Sequence, residues 1–418
     1  MRVYLRTFGC RANQYDTEAA RAMIEAGGGV IVERAADAEI ALFNSCAVTS
    51  GAEADLRKAV RREARLDAGE GGARTGALRT IVMGCASALD DGTIAALPGV
   101  SDVIAGADLP ALAQALGLDP ALSTARTGTQ AGARALLRIQ DGCDEHCTFC
   151  ATTLARGAQR SRPPDELVRE ALALSEHHPE IVITGIHIGT YGAEAGSSLG
   201  ALVMRLVREV PRARFRLTSI EATEVDDRLA ELLTGHPAGV VPHLHAPLQS
   251  GSDRVLRRMG RHWYDASTYA AAVERLAAAR STFALGADLI AGFPGETGED
   301  HGATRSLVRD LPFTYLHVFP FSPRPLTAAE RLRGRVAPAV ARERAAELRT
   351  LGTDKAAAYR TSRVGAPADV VVVGEGWRRE GLTEDYLTVT LEDRRLPRRA
   401  RFASTLSLVD GQLTACTR

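Results

Sequence analysis

Short apolar runs alternate with stretches of helical period along the first part of the chain. Residues 3–7, 40–44 and 80–83 are apolar and each runs into turn chemistry, so they predict strands. Residues 13–25 and 52–66 predict helices between them. The alternation predicts a small parallel-sheet α/β domain over residues 1–118. The Gly-rich stretch 67–78 reads as an exposed loop inside it, and residues 119–133, small, polar and Pro/Gly-bearing, read as a linker.

A longer alternation follows over residues 134–360. Strands are expected at 136–140, 181–184, 215–218, 241–245, 283–289 and 315–319, with helices at 164–177, 199–210 and 266–279 among them. Six βα units over roughly 200 residues predict an incomplete (β/α)6 barrel. A Pro-containing connection and an Ala/Arg-rich helix to about Tyr359 close this region. The tail, residues 361–418, is β-rich at 368–373, 386–391 and 405–409 with no helical period between, which suits a small antiparallel β-barrel. The fold class is therefore α/β with a small β-barrel at the end.

Composition narrows the chemistry. Among 418 residues, 51 Lys and Arg balance 51 Asp and Glu, so bulk charge does not draw polyanions and any nucleic-acid contact must be a local basic patch. The first residues turn polar too soon for a signal peptide. No apolar run approaches the ~18 residues a membrane helix needs. The expected address is the cytoplasm, with no membrane partner. In that reducing compartment seven cysteines point to metal ligation or catalysis more than to disulfides.

Three of them form Cys143-Asp-Glu-His-Cys147-Thr-Phe-Cys150, directly after the first expected barrel strand. Three thiolates on one loop can hold three irons of a [4Fe–4S] cube and leave the fourth open, where the amino and carboxylate groups of S-adenosylmethionine can chelate. A structural zinc site is the alternative, but zinc usually takes four protein ligands and no fourth cysteine lies nearby. Cys10, Cys46 and Cys85 each sit just past an expected strand. Carboxyl-end loops of a parallel sheet converge on one edge, so these three can meet in space. Their alternative is three unrelated buried thiols.

Gly185, Ser219, Glu221, Gln249, Ser250 and Asp288 follow or end barrel strands, at the rim where barrel sites lie, and are candidates for contact with the cofactor. Glycines such as Gly185 could instead merely permit tight turns. Arg156, Arg160 and Arg162 could hold the cofactor carboxylate or an RNA phosphate, or lie on a solvated loop. His243 and His245 share a strand face and look like a metal pair, although packing explains them better without a third ligand. Arg394, Arg395, Arg398, Arg399 and Arg401 cluster in the tail and could grip an RNA backbone. Cys416 reads as a bystander.

At these residues the chain resembles the radical S-adenosylmethionine superfamily. Within it, Gly142-Cys143-Asp144, Arg156-Gly157, Arg160-Ser161-Arg162, Thr184-Gly185, residues 243–253, Met259-Gly260-Arg261, residues 288–297 and residues 319–324 resemble the methylthiotransferases, in order and over nearly the whole chain. The resemblance implies three domains, the last a TRAM-like RNA-binding barrel, and a second [4Fe–4S] cluster on Cys10, Cys46 and Cys85 that supplies or relays sulfur. It implies a deoxyadenosyl radical that takes hydrogen from C2 of an adenine, and a second S-adenosylmethionine as methyl donor. Ordinary base catalysis could not remove so weakly acidic a hydrogen. The implied partners are tRNA, an electron donor such as flavodoxin or ferredoxin, and a sulfur donor.

Residues 381–387, Gly-Leu-Thr-Glu-Asp-Tyr-Leu, resemble the members acting on N6-threonylcarbamoyladenosine at adenosine 37. Family alternatives are isopentenyladenosine 37 and an aspartate of a small-subunit ribosomal protein. From Ala356 to Arg418 ten Arg and Lys face eight Asp and Glu, which leans toward RNA. A non-catalytic iron–sulfur RNA-binding or redox protein is the alternative of another class. The chain departs from many relatives at Ala151-Thr152-Thr153-Leu154, where they carry Ile-Pro or similar residues.

Overall fold

The computed structural model describes residues 1–47, 50–67, 78–235, 239–374, 379–393 and 395–416. Residues 68–77 of the Gly-rich stretch, and Arg394, lie outside the described residues.

The first region folds as a five-stranded parallel sheet in the order Val30–Val32, Arg2–Thr7, Ile40–Ser45, Arg79–Gly84, Val100–Val103. Ile40–Ser45 is buried at every residue because helices cover both faces of the sheet, the usual setting of parallel strands. Tyr15, Met23 and Ile24 of helix Arg11–Ala26 pack with Val3, Leu42 and Ile81 on one face. Leu56 and Val60 of helix Ser50–Asp67 pack with Phe43 and Val82 on the other. The two edge strands did not stand out in sequence: each has only three or four residues and is partly exposed, so neither shows a sustained apolar run.

The middle region holds six parallel strands: Ala135–Arg138, Glu180–Thr184, Arg214–Leu217, His243–His245, Ala284–Ala291 and Tyr315–Pro320. They form two three-stranded sheets, joined by isolated parallel bridges Phe215–Val240 and Ser219–His245 into one open barrel. Side chains alternate along each strand. Leu137, Ile181, Ile183, Phe215 and Leu217 turn outward into the core beneath the helices.

The other two domains both pack on this barrel. Helix Arg11–Ala26 lies against Ala135–Arg138, and Tyr15 Oη donates to Glu170 at 3.0 Å while accepting from Arg162 Nη1 at 3.0 Å. The tail forms a closed five-stranded barrel of Pro367–Val372, Glu380–Thr383, Thr388–Leu391, Arg401–Val409 and Gln412–Ala415. One correction applies to the expected antiparallel barrel: Thr388–Leu391 pairs with Gln412–Ala415 in parallel, which is how five strands close.

This small barrel docks through a buried ion cluster. Arg214 and Arg216 are fully buried, and both pair with Glu180, at 2.7 Å each. Arg214 also donates to the carbonyl oxygen of Asp369 (2.7 Å), and Arg216 to those of Thr383 (3.0 Å) and Glu384 (3.1 Å). Burial pushes the Glu180 carboxyl up, but the Arg216 and Arg214 guanidiniums outweigh it and hold it well below the ordinary range.

The linker is seated by one histidine. His178 Nδ1 donates to the Ala133 carbonyl at 3.2 Å and Nε2 accepts the Gln130 N–H at 3.1 Å, which fixes a neutral tautomer. Burial lowers its pKa from 6.5 to about 4. A folded-state pKa below the unfolded one contributes stability that is present above pH 6.5 and is lost as pH falls toward 4. Denaturant midpoints of the wild type should fall over that window. In His178→Gln the part of the decline due to this residue should vanish, and an identical pH profile would count against the assignment.

Candidate functional site between the two cysteine trios

Each cysteine of the amino-terminal trio follows a strand of the first sheet. Cys10 caps helix Arg11–Ala26 and is exposed; Cys46 ends the Ile40–Ser45 strand and Cys85 opens the short helix Cys85–Ala88, both buried. Gly9, at φ +128°, permits their approach: a Cβ there would stand 2.5 Å from the Cys46 Cβ and 2.8 Å from its Sγ. Asn13 links two of the three, accepting from Cys10 Sγ at 3.3 Å and reaching Cys85 Sγ at 3.8 Å. Sequence reading missed Asn13. Its signal was a polar residue three positions after Cys10, one helical turn on.

The second trio sits on the loop after Gln140–Asp141. Gly142, at φ +72°, starts it, and a Cβ there would fall onto the Ala158 carbonyl oxygen. The Cys143 N–H bonds Gly157 O at 3.1 Å, Thr148 N–H bonds Met259 O at 2.8 Å, and Cys150 N–H bonds Cys147 O at 3.1 Å. Charged groups attend the sulfurs: His187 Nδ1 lies 3.8 Å from Cys143 Sγ, and Arg261 Nη1 lies 3.6 Å from Cys147 Sγ. Burial pushes the Cys147 thiol up to about 12 against the opposing pull of Arg261.

Several expected cofactor contacts take other positions. Arg156 is buried at the domain interface: Nε donates to Cys85 Sγ at 3.2 Å, and the two Nη groups pair with Asp16 (2.7 Å) and Asp141 (3.0 Å). All three nitrogens are thus committed to protein groups, unlike the expected role at the cofactor carboxylate. Arg162 pairs with Glu170 at 2.8 Å. Glu221 is buried against Arg261 and acts on Cys147 through it. Gly185 allows close packing, since a Cβ would meet Gln140 O at 2.7 Å. Ser219 is exposed at the rim, beside its bridge to His245. Gln249 adopts φ +63° and bonds through its backbone to Asp288 O (2.8 Å) and Ile290 N (2.9 Å).

Among the described residues the tail arginines do not form one open patch. Arg401 pairs with Asp369 at 2.6 Å, Arg399 donates to Gln130 O at 2.6 Å, and Arg395, highly exposed, pairs with Asp393 at 3.1 Å. Arg398 is half-buried. A small barrel must dock somewhere, and part of its basic run is used for that.

The two trios face one cleft of about 380 Å³. Cys85 and Cys150 both line it, with Gln249, Asp288, Phe319 and Arg324. Arg324 is buried and paired with Glu53 of the first domain, and its Nε has no hydrogen-bond partner among the described residues. Among the described residues, only His245, Asp288 and His317 bring three metal-ligating atoms within 4.8 Å of one another. Neither cysteine trio closes to that single-ion spacing, so the donor sets suit a wider iron–sulfur cube better than zinc.

The parallel barrel and the loop bearing Cys143, Cys147 and Cys150 define a radical S-adenosylmethionine enzyme, and residues 137–308 match the family model described as the radical SAM superfamily. Residues 2–106 match the model described as uncharacterized protein family UPF0004. The chain belongs to the tRNA methylthiotransferase family: it is 32% identical, over 92% of its length and 89% of the relative's, to the threonylcarbamoyladenosine tRNA methylthiotransferase of Thermotoga maritima. It is 33% identical to that of Bacillus subtilis, over 85% of this chain and 81% of the relative. A tRNA-2-methylthio-N(6)-dimethylallyladenosine synthase of Parafrankia sp. is 34% identical, over 91% and 79%. The radical S-adenosylmethionine methyltransferase TsrM of Kitasatospora setae shares the fold, with a TM-score of 0.58 at 15% identity, over 78% of this chain and 76% of that one. The chain is a transferase. Among the described residues no helix is long and apolar enough to cross a membrane.

Proposed function

We propose that this enzyme attaches a methylthio group to C2 of N6-threonylcarbamoyladenosine at position 37 of tRNA. The observation that supports it most is the shared cleft: one wall presents Cys85 and another Cys150, so groups held by both trios address one substrate atom. The Thermotoga maritima and Bacillus subtilis relatives carry the threonylcarbamoyl name. When bound, a cluster on Cys143, Cys147 and Cys150 supplies the electron that cleaves S-adenosylmethionine to a 5′-deoxyadenosyl radical, and one on Cys10, Cys46 and Cys85 holds the sulfur.

The chain's own residues position these events. Arg261 and Glu221 hold the Cys147 side of the loop, and Arg156 ties Cys85 to the barrel through Asp141. Phe319, 44% exposed on the cleft, offers a face for a stacked base. The small barrel carries Arg395 outward, where it contacts RNA phosphate, while Arg399 serves docking and Arg401 pairs with Asp369 inside the barrel. The enzyme works in the cytoplasm with tRNA, a flavodoxin- or ferredoxin-like reductant and a sulfide source.

Reconstituted holoenzyme incubated anaerobically with reductant, sulfide, S-adenosylmethionine and tRNA bearing threonylcarbamoyladenosine should yield the 2-methylthio nucleoside by mass spectrometry. Product only from isopentenyladenosine would move the enzyme to the neighbouring branch of the family. No product from either base would refute a tRNA substrate of this kind.

A further inference from the structure

A chain of five hydrogen-bonded side chains crosses the barrel floor beside this cleft. His243 Nε2 meets Tyr315 Oη at 2.8 Å, Tyr315 Oη meets His245 Nδ1 at 3.1 Å, and His245 Nε2 and His317 Nδ1 both meet Asp288 Oδ1, at 3.0 and 3.1 Å. Gly286 makes room for it, since a Cβ there would collide with the Tyr315 ring. His243 and His245 are buried, Asp288 lines the cleft, and the His317 side chain is 53% exposed.

The proton arrangement follows from the partners. The Asp288 carboxylate can only accept, so both facing imidazole nitrogens carry protons. His245 Nδ1 is then the acceptor of the Tyr315 hydroxyl, and His243 Nε2–H donates to Tyr315. The His243 Nδ1 left over has no partner among the described residues, as a lone pair at that end requires. The Tyr315 hydroxyl and both His245 nitrogens are thus committed, and the chain ends at the half-exposed His317, whose Nε2 lies across the ring from Asp288. Such an end is an ordered hydrogen-bonding group held for something outside the chain.

Adenine geometry says what comes there. C2 and the N6-bearing carbon flank N1, so a base that turns C2 toward Cys85 and Cys150 extends its N6 substituent along the same cleft. We propose that His317, oriented by Asp288 and the chain behind it, reads a polar, carboxylate-bearing acyl substituent on N6 and thereby sets substrate choice. This rests on the function proposed above. A ureido and carboxylate arm offers His317 an acceptor, and an approaching carboxylate favours a second proton on the imidazole, giving a charge-assisted bond. A prenyl arm offers nothing and would leave the polar floor desolvated without a partner, the situation in which sites built for hydrogen bonding reject apolar analogues.

The test uses anaerobic holoenzyme without reductant and anticodon stem-loop RNAs carrying threonylcarbamoyladenosine, isopentenyladenosine or adenosine at the target position. In fluorescence anisotropy the wild type should bind the threonylcarbamoyl RNA at least about tenfold tighter than the adenosine RNA, the range of one charge-assisted hydrogen bond. His317→Phe should erase that advantage while its affinity for the adenosine RNA stays the same. His317→Gln, which keeps a hydrogen-bonding end, should restore part of it. Iron content and thermal midpoint verify that each variant is folded and loaded. Retention of the advantage in His317→Phe overturns the inference, as does an equal loss for all three RNAs. One zinc per chain in the metal analysis, lost with His317, also overturns it in favour of a metal site. The proposed function stands through all three outcomes, and fails separately if the wild type modifies only the isopentenyl base.

Discussion

Alanine at Cys10, Cys46 and Cys85 together should leave a protein with about four irons in place of about eight, still able to form 5′-deoxyadenosine and unable to make methylthio product. The two trios belong to different domains and have separate loops, so removing one ligand set leaves the backbone hydrogen bonds of the other in place. Arg156 loses Cys85 but keeps Asp16 and Asp141, which limits the damage at the interface. Alanine at Cys143, Cys147 and Cys150 should also leave about four irons, and should abolish both products. Iron assay, electron paramagnetic resonance and chromatography of the two nucleosides separate these cases. If the amino-terminal variant kept all its iron, or lost deoxyadenosine formation while folded, the division of labour between the trios would be wrong.

Glu180→Ala should be the most damaging single change away from the cysteines. It removes the carboxylate that Arg214 and Arg216, both fully buried, share, and leaves Arg214 with Asp369 alone at 3.0 Å. Breaking a buried ion cluster from one side typically costs about 3–5 kcal/mol, because the remaining charge stays out of water. The loss falls where the tail barrel seats, so the denaturation midpoint should drop and proteolysis should cut first near the end of helix Pro338–Ser362. Replacing Glu180, Arg214 and Arg216 together by apolar residues should cost less than the single change. A Glu180→Ala protein as stable as the wild type would show that the Asp369 carboxylate and the carbonyl oxygens of Asp369, Thr383 and Glu384 suffice for both guanidiniums.

The barrel strands were legible because buried parallel strands are short apolar runs set between helices, and those runs survive without any tertiary information. The edge strands Val30–Val32 and Val100–Val103 were not, nor were Glu380–Thr383 and Gln412–Ala415, which have only four residues each and take their strand form from the ladders of the closed barrel. The cysteines announced themselves by spacing and by their place after strands. Their attendants did not: Asn13 also bonds Asn44, 31 positions away, Arg261 reaches Cys147 across 114 and Arg156 reaches Asp16 across 140. His245 looked like half of a metal pair with His243, whereas its nearer companions are Asp288 and His317, two strands that only the barrel brings beside it. Arginine is the hardest type to read from sequence. The same side chain in Arg214, Arg324 and Arg395 is a buried dock, a cleft wall and an exposed surface group.

The seat of the tail barrel has a consequence for how that module can change. Arg214 and Arg216 reach main-chain oxygens of Asp369, Leu382, Thr383 and Glu384, groups that every amino acid possesses. Their hold therefore depends on the path of the chain through those positions and, among side chains, on the Asp369 carboxylate 3.0 Å from Arg214 and the Tyr386 ring under Arg216. Substitutions on the exposed side can accumulate, or a whole barrel of the same trace that keeps Asp369 can be grafted from a relative, without redesigning the surface that receives it. The outer surface of the module is free to change while its orientation toward the cleft is inherited unchanged.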